Sequence, residues 1–301
     1  MAWKSIFRGP NGYRAGWRFL LFAVIFIVFQ LLFDALLDYA VRLLNVTVPP
    51  WLNAKAVLVQ DAFSLLAVLL ATLIMARLER RRLRDYGIPG RDSFSRPFWI
   101  GSVWGFVAVS LLMATIALAG GYSIGHLNLH GFSLVRAALW WIAASVAIGF
   151  AEEFIFRAYP QITLASGMGF WPAAFLISCG FGALHYFTKA DERWTDWASV
   201  SLIALFVCLT LRRTGDLRFA IGFHAAFDFA AIYFYSGPNG GSVAADRLFT
   251  STFHGSDAIT GGPLGPEASL LVFPVIALLF LVFDRMYRNR PAMRDTAAGQ
   301  S

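Results

Sequence analysis

The sequence predicts an all-α, polytopic membrane helix bundle of about eight spans. Three observations carry that class. Hydrophobic residues make up 58% of the chain and charged residues only 14%, against about 25% charged in soluble domains. Eight stretches approach the roughly 20 apolar residues that a spanning helix needs. The Lys and Arg residues also cluster in alternate loops. Such a composition excludes soluble, disordered and fibrous classes.

The eight stretches are Trp17–Leu44, Ala56–Ala76, Phe98–Ala119, Leu134–Ala165, Phe170–Phe187, Trp197–Leu211, Leu217–Tyr235 and Ala268–Met286. The first follows Lys4, Arg8, Arg14 and Arg18 in the manner of a secretory signal. It is too long for a signal's apolar core and has no small-residue cleavage site after it, so it reads as a retained helix. The fourth is long and carries charges; the sixth is short. Gly101 and Gly105 in the third form a small-x-x-x-small packing surface. With the N-terminus in the cytoplasm, 19 of the 25 basic residues fall inside and six outside. That split follows the positive-inside rule and puts both termini in the cytoplasm. Arg80, Arg81, Arg82 and Arg84 then read as an anchor at anionic lipid, and no basic patch calls for a nucleic acid. An irregular Gly/Ser/Pro-rich loop, Ser236–Glu267, lies outside. The expected organisation is N-terminal spans with the Arg-rich loop over 1–133, a core of spans over 134–235, and the outer loop with the last span over 236–301. Localisation is then integral to a plasma or bacterial inner membrane. Cys179 and Cys208 sit in apolar runs with no metal-ligand or disulfide spacing.

Ionisable residues inside spans cost roughly 2.5–3.5 kcal/mol each on insertion scales and are functional candidates. They concentrate in three segments: Glu152-Glu153 with Arg157, Phe181 with His185, and His224 with Asp228. Glu153 and Arg157 are four apart, so they share a helix face and can pair. Glu152 is turned about 100° away and is left for other work. Asp228, one turn from His224, can fix its ring orientation. At 1.5 Å per residue, Glu152, His185 and His224 fall about 15–22 Å from their cytoplasmic helix ends, which allows one common level. Taken singly, each segment reads as well as a packing histidine or a structural ion pair; the three together favour a site. Asp34, Asp38 and Asp61, and His126, His130 and His254, read as solvated or interfacial.

The ordered set resembles the CAAX-protease and bacteriocin-processing family of intramembrane proteases, whose pattern is Glu-Glu-x-x-x-Arg, Phe-x-x-x-His, His-x-x-x-Asn. The resemblance covers about a third of the chain, Leu134–Tyr235, and implies an endopeptidase, a class often labelled metalloprotease. It implies Glu152 as the base that activates water, with His185 holding that water. His224 and the residue at 228 would stabilise the oxyanion, with Glu153, Arg157 and Phe181 as structural supports. Asp228 departs from the pattern, because an ionised Asp cannot donate to an oxyanion. Zinc remains open. Glu152, His185 and His224 form an acceptable two-His, one-carboxylate set, but there is no His-Glu-x-x-His, and metal-free water activation is slightly preferred. The implied substrate is a membrane-embedded or lipidated peptide or protein. Rival readings are a proton-coupled transporter carrying protons on Asp34, Asp61, Glu152 and Asp228, and a catalytically inactive membrane scaffold.

Overall fold

A computed structural model describes residues 7–9, 12–49, 51–188 and 193–289. The described residues form a bundle of nine helices of ten residues or more. They are α1 (Ala15–Leu43), α2 (Ala54–Leu78), α3 (Arg96–Leu118), α4 (Gly131–Arg157), α5 (Tyr159–Met168), α6 (Phe170–Thr188), α7 (Trp194–Thr214), α8 (Arg218–Asp228) and α9 (Val272–Tyr287). Among the described residues, six helical stretches are long and apolar enough to cross a membrane, with α4 and α5 counted as one. At 11 and 16 residues, α8 and α9 are shorter than the spans expected there. Leu20, Val24, Val28 and Leu31 on α1, and Trp99, Val103 and Val107 on α3, are exposed. So much outward apolar surface suits lipid and not water. The chain is an integral membrane protein.

Local sequence sets the helix ends. The Asn53 side chain accepts from the amides of Lys55 and Ala56 and starts α2, as a capping residue does. Pro97 opens α3 and Pro160 opens α5, where a missing N–H costs nothing. Gly215, at φ 84°, ends α7 in the left-handed conformation that suits glycine. The fourth stretch is not one continuous helix. It breaks at Ala158 (φ −77°, ψ −105°), directly after Arg157. Glu152 therefore lies near the end of α4 and not deep within a longer helix.

Pro160 stops the helix from running on through this point, and an anchor holds the new start. Tyr159, fully buried, donates its hydroxyl to Glu79 at the end of α2. Glu79 also accepts from Arg18 Nε of α1 (2.8 Å) and from the Tyr86 hydroxyl (2.9 Å). Burial pushes the Glu79 carboxyl up, but the bonds from Arg18 and the two tyrosines outweigh it and hold it below the usual carboxylate range. One carboxylate thus ties α1, α2, α5 and the Leu83–Tyr86 turn together.

Helix α8 is wedged between α3 and α4. A Cβ on Gly101 or Gly105 of α3 would meet the carbonyl oxygen of Phe219 or Phe223 at 2.1 Å. One on Gly222 would meet that of Phe98 at 2.0 Å, and one on Gly149 of α4 that of Ile221 at 2.9 Å. The backbones therefore touch directly, the close approach that small residues allow between membrane helices. This contact sets the position of His224. Beyond Asp228 the chain winds into a wider π-helical turn, Phe229–Phe234, of a kind frequent at functional sites.

The loop after that turn folds back over the bundle. Tyr122–Ser123 pairs antiparallel with Thr252–Phe253, and Trp141 Nε1 donates to Asp246 (2.9 Å). These ties bring Asn239 and Glu267 to the cavity described next.

Candidate active site

A cavity of about 220 Å³ opens among α2, α4, α6, α7 and α8, and the three polar segments meet there. Glu152, Glu153, Arg157, Phe181, His185, His224 and Asp228 all line it. The helical spacing works as the sequence suggests. Glu153 turns inward and is fully buried, while Glu152, one residue earlier, stays a quarter exposed.

The buried side is built around Glu153. Its carboxylate accepts from Arg157 one turn along α4 (3.5 Å) and from His224 Nδ1 of α8 (2.8 Å). The histidine bond crosses between helices and is not legible from spacing alone. It fixes the imidazole so that Nε2 faces the cavity, 3.4 Å from Glu152 Oε2 and 3.6 Å from Asp228 Oδ2. Asp228 thus flanks the ring from one turn along α8, in an orienting position.

Phe181 has a definite structural place. Its ring lies 4.5 Å from the Arg157 guanidinium and 4.5 Å from the His185 ring. Its centroid stands 6.4 Å from that of His224, edge-on. It therefore covers the buried ion pair and separates the two histidines. The His185 ring is turned by its Nδ1, which donates to the Phe181 carbonyl (3.0 Å), leaving Nε2 available. Close packing of α6 on α7 supports this wall, since a Cβ on Gly182 would meet Ser201 Oγ at 2.1 Å.

His224 has Nδ1 committed to Glu153, and His185 has Nδ1 committed to a carbonyl. Among the described residues, no three His, Cys, Asp or Glu side chains are gathered to hold a metal ion. The set Glu152, His185 and His224 shares a cavity without forming a ligand cluster.

Asp61, read from the sequence as solvated or interfacial, belongs to the site. It lines this cavity from α2, close enough to Glu152 and His224 for their charges to act on it. Asn239 and Glu267 line it too. Neither had a sequence signal, because Asn239 sits in a Pro-Asn-Gly-Gly turn that turn chemistry alone explains. Asp34 and Asp38 are exposed on α1, and His126, His130 and His254 are exposed in loops, away from this cavity.

Fold and site together define a polytopic helical membrane protein with a carboxylate–histidine cavity between its helices. Residues 134–230 match the model of the Rce1-like family, type II CAAX prenyl endopeptidase Rce1-like. That segment covers about a third of the chain and is similar to the family the three motifs resemble. Comparison with curated proteins and with solved structures finds no match.

Proposed function

We propose that the protein is an intramembrane endopeptidase that hydrolyses a peptide bond with a water activated by Glu152. One observation carries the reading: Glu152 faces a cavity beside His224, and His224 is held from behind by the buried Glu153–Arg157 pair. The similarity to the type II CAAX prenyl endopeptidase model supports a membrane-associated, prenylated peptide or protein as the substrate.

Each residue has one task. Glu152 takes a proton from the attacking water, a contribution of about 10²–10⁴-fold. His185, through Nε2, holds that water. His224, through its Nε2–H, donates to the carbonyl oxygen as charge develops there, a contact worth about 2.7–4 kcal/mol. Asp228 orients the His224 ring and does not donate, which accommodates an acid where the family pattern has Asn. Glu153, Arg157 and Phe181 hold the set in place. The steps use these side chains alone. A proton-carrier path is less well supported, because Asp34 stands exposed on α1 and is not among the residues lining the cavity.

The test is cleavage of a prenylated membrane-peptide reporter by purified protein. Glu152→Gln is expected to abolish cleavage while the protein still inserts and unfolds at the wild-type temperature. Full activity in that variant would remove the mechanism. Metal analysis of the same preparation, with chelation, is expected to leave activity intact; loss restored by zinc would instead give the metal a role.

A further inference from the structure

Peptide hydrolysis moves two protons, one off the attacking water and one onto the departing amine. Glu152 accounts for the first. Five residues bring carboxyl groups to the cavity: Asp61, Glu152, Glu153, Asp228 and Glu267. Four of them are already engaged. Glu153 is sealed between Arg157 and His224, Glu152 and Asp228 lie against His224 Nε2, and Glu267 has contacts of its own. Asp61 alone makes no hydrogen bond or ion pair with another described residue, although the charges of Glu152 and His224 reach it.

Its position is costly to hold. Asp61 lies about 10 Å along α2 from Ala54, at 1.5 Å per residue, and α2 packs along α4, which carries Glu152. A carboxyl within a span, with no cation of its own, needs a reason to be there. Two carboxyl groups that feel one another across one cavity, with different partners, are the arrangement in which one serves as base and the other as acid.

We propose that Asp61 is a catalytic proton donor to the leaving amine, working beside Glu152; this rests on the endopeptidase reading above. Glu152 removes one proton from water as the water oxygen bonds to the carbonyl carbon. The carbonyl π pair moves onto oxygen, facing His224. That pair then re-forms the carbonyl, the C–N bond breaks, and the nitrogen takes the proton of Asp61. The other water hydrogen leaves with the new carboxylic acid. Transfer of the proton from Glu152 to Asp61 restores the starting state.

A leaving-group comparison tests this on the full-length protein in detergent. One substrate is a peptide, and the other is an aryl ester of the same acyl segment, whose aryloxide departs without a proton. Asp61→Asn is expected to lower kcat on the peptide by about 10²–10⁴-fold at similar KM, and on the ester by less than about tenfold. Asp61→Glu, which keeps the acid, is expected to recover most peptide turnover, and it serves as the variant of record if Asp61→Asn misfolds. Equal loss on both substrates, no loss on either, or no rescue by Asp61→Glu would overturn the proposal. Glu152→Gln is expected to lose both substrates. If it keeps both, the underlying endopeptidase mechanism fails, whatever Asp61 does.

Discussion

Gly105 contacts the backbone one residue before His224, so Gly105→Ala perturbs the site without touching its chemistry. The added Cβ would lie 2.1 Å from the Phe223 carbonyl oxygen, where ordinary contact begins at 3.4 Å. Helices α3 and α8 must then separate by about 1.3 Å, the difference of those two distances. Because α8 is wedged between α3 and α4, the shift drives it against α4 and displaces His224 from its present 2.8 Å geometry with Glu153. A misplacement of about 1 Å in a catalytic group costs on the order of 10²-fold in rate. Stability moves much less. Overpacking costs about 1–3 kcal/mol, and replacing a helical Gly by Ala returns up to about 1 kcal/mol. The expected signature is a roughly hundredfold loss of reporter cleavage with a small fall in Tm. Gly180→Ala on α6, where a Cβ meets nothing within 4 Å, is the control, with unchanged cleavage and equal or higher Tm. Wild-type cleavage by Gly105→Ala would refute the claim that backbone contact between α3 and α8 sets the His224 position.

Other perturbations read different parts of the fold. Arg157→Met leaves Glu153, which is 0% exposed, without its cation; a destabilisation of about 3–5 kcal/mol is expected. Adding Glu153→Gln is expected to recover much of that in thermal unfolding, without recovering activity, because His224 loses its charged acceptor. Glu79 titrates below its ordinary value in the folded protein. Its network therefore stabilises fully above the unfolded carboxylate value of about 4.3, and that stability is lost as pH falls through the lower folded value. Unfolding scans from pH 7 to pH 3 are expected to show the acid loss in the native protein and to show it reduced in Glu79→Gln. An identical acid profile in both would count against the network.

Much of the site was legible because helical spacing is local. Glu153 with Arg157, and His224 with Asp228, are four-residue pairs whose common faces follow from 3.6 residues per turn, and the structure keeps both. Membrane class was equally legible, since it follows from apolar content and span length. The helix count was harder. The break at Ala158 falls two residues ahead of Pro160, a local helix-ending signal, whereas the tie of Tyr159 to Glu79, 80 positions earlier, lies in no single window of sequence. Asp61 shows the same limit. A lone acid near the start of an apolar helix reads as interfacial until the helix it packs against is known.

By itself, then, the sequence determined the membrane class, the three polar segments and the face each presents, because composition and periodicity act over one helix at a time. Only the tertiary structure decided which segments share a cavity. It tied His224 to Glu153 rather than to Glu152 alone, brought Asp61 in from α2, and folded the outer loop back to add Asn239 and Glu267. These outcomes depend on which helices pack together and how closely. Here glycines that leave room for direct backbone contact set that closeness for α3 and α8.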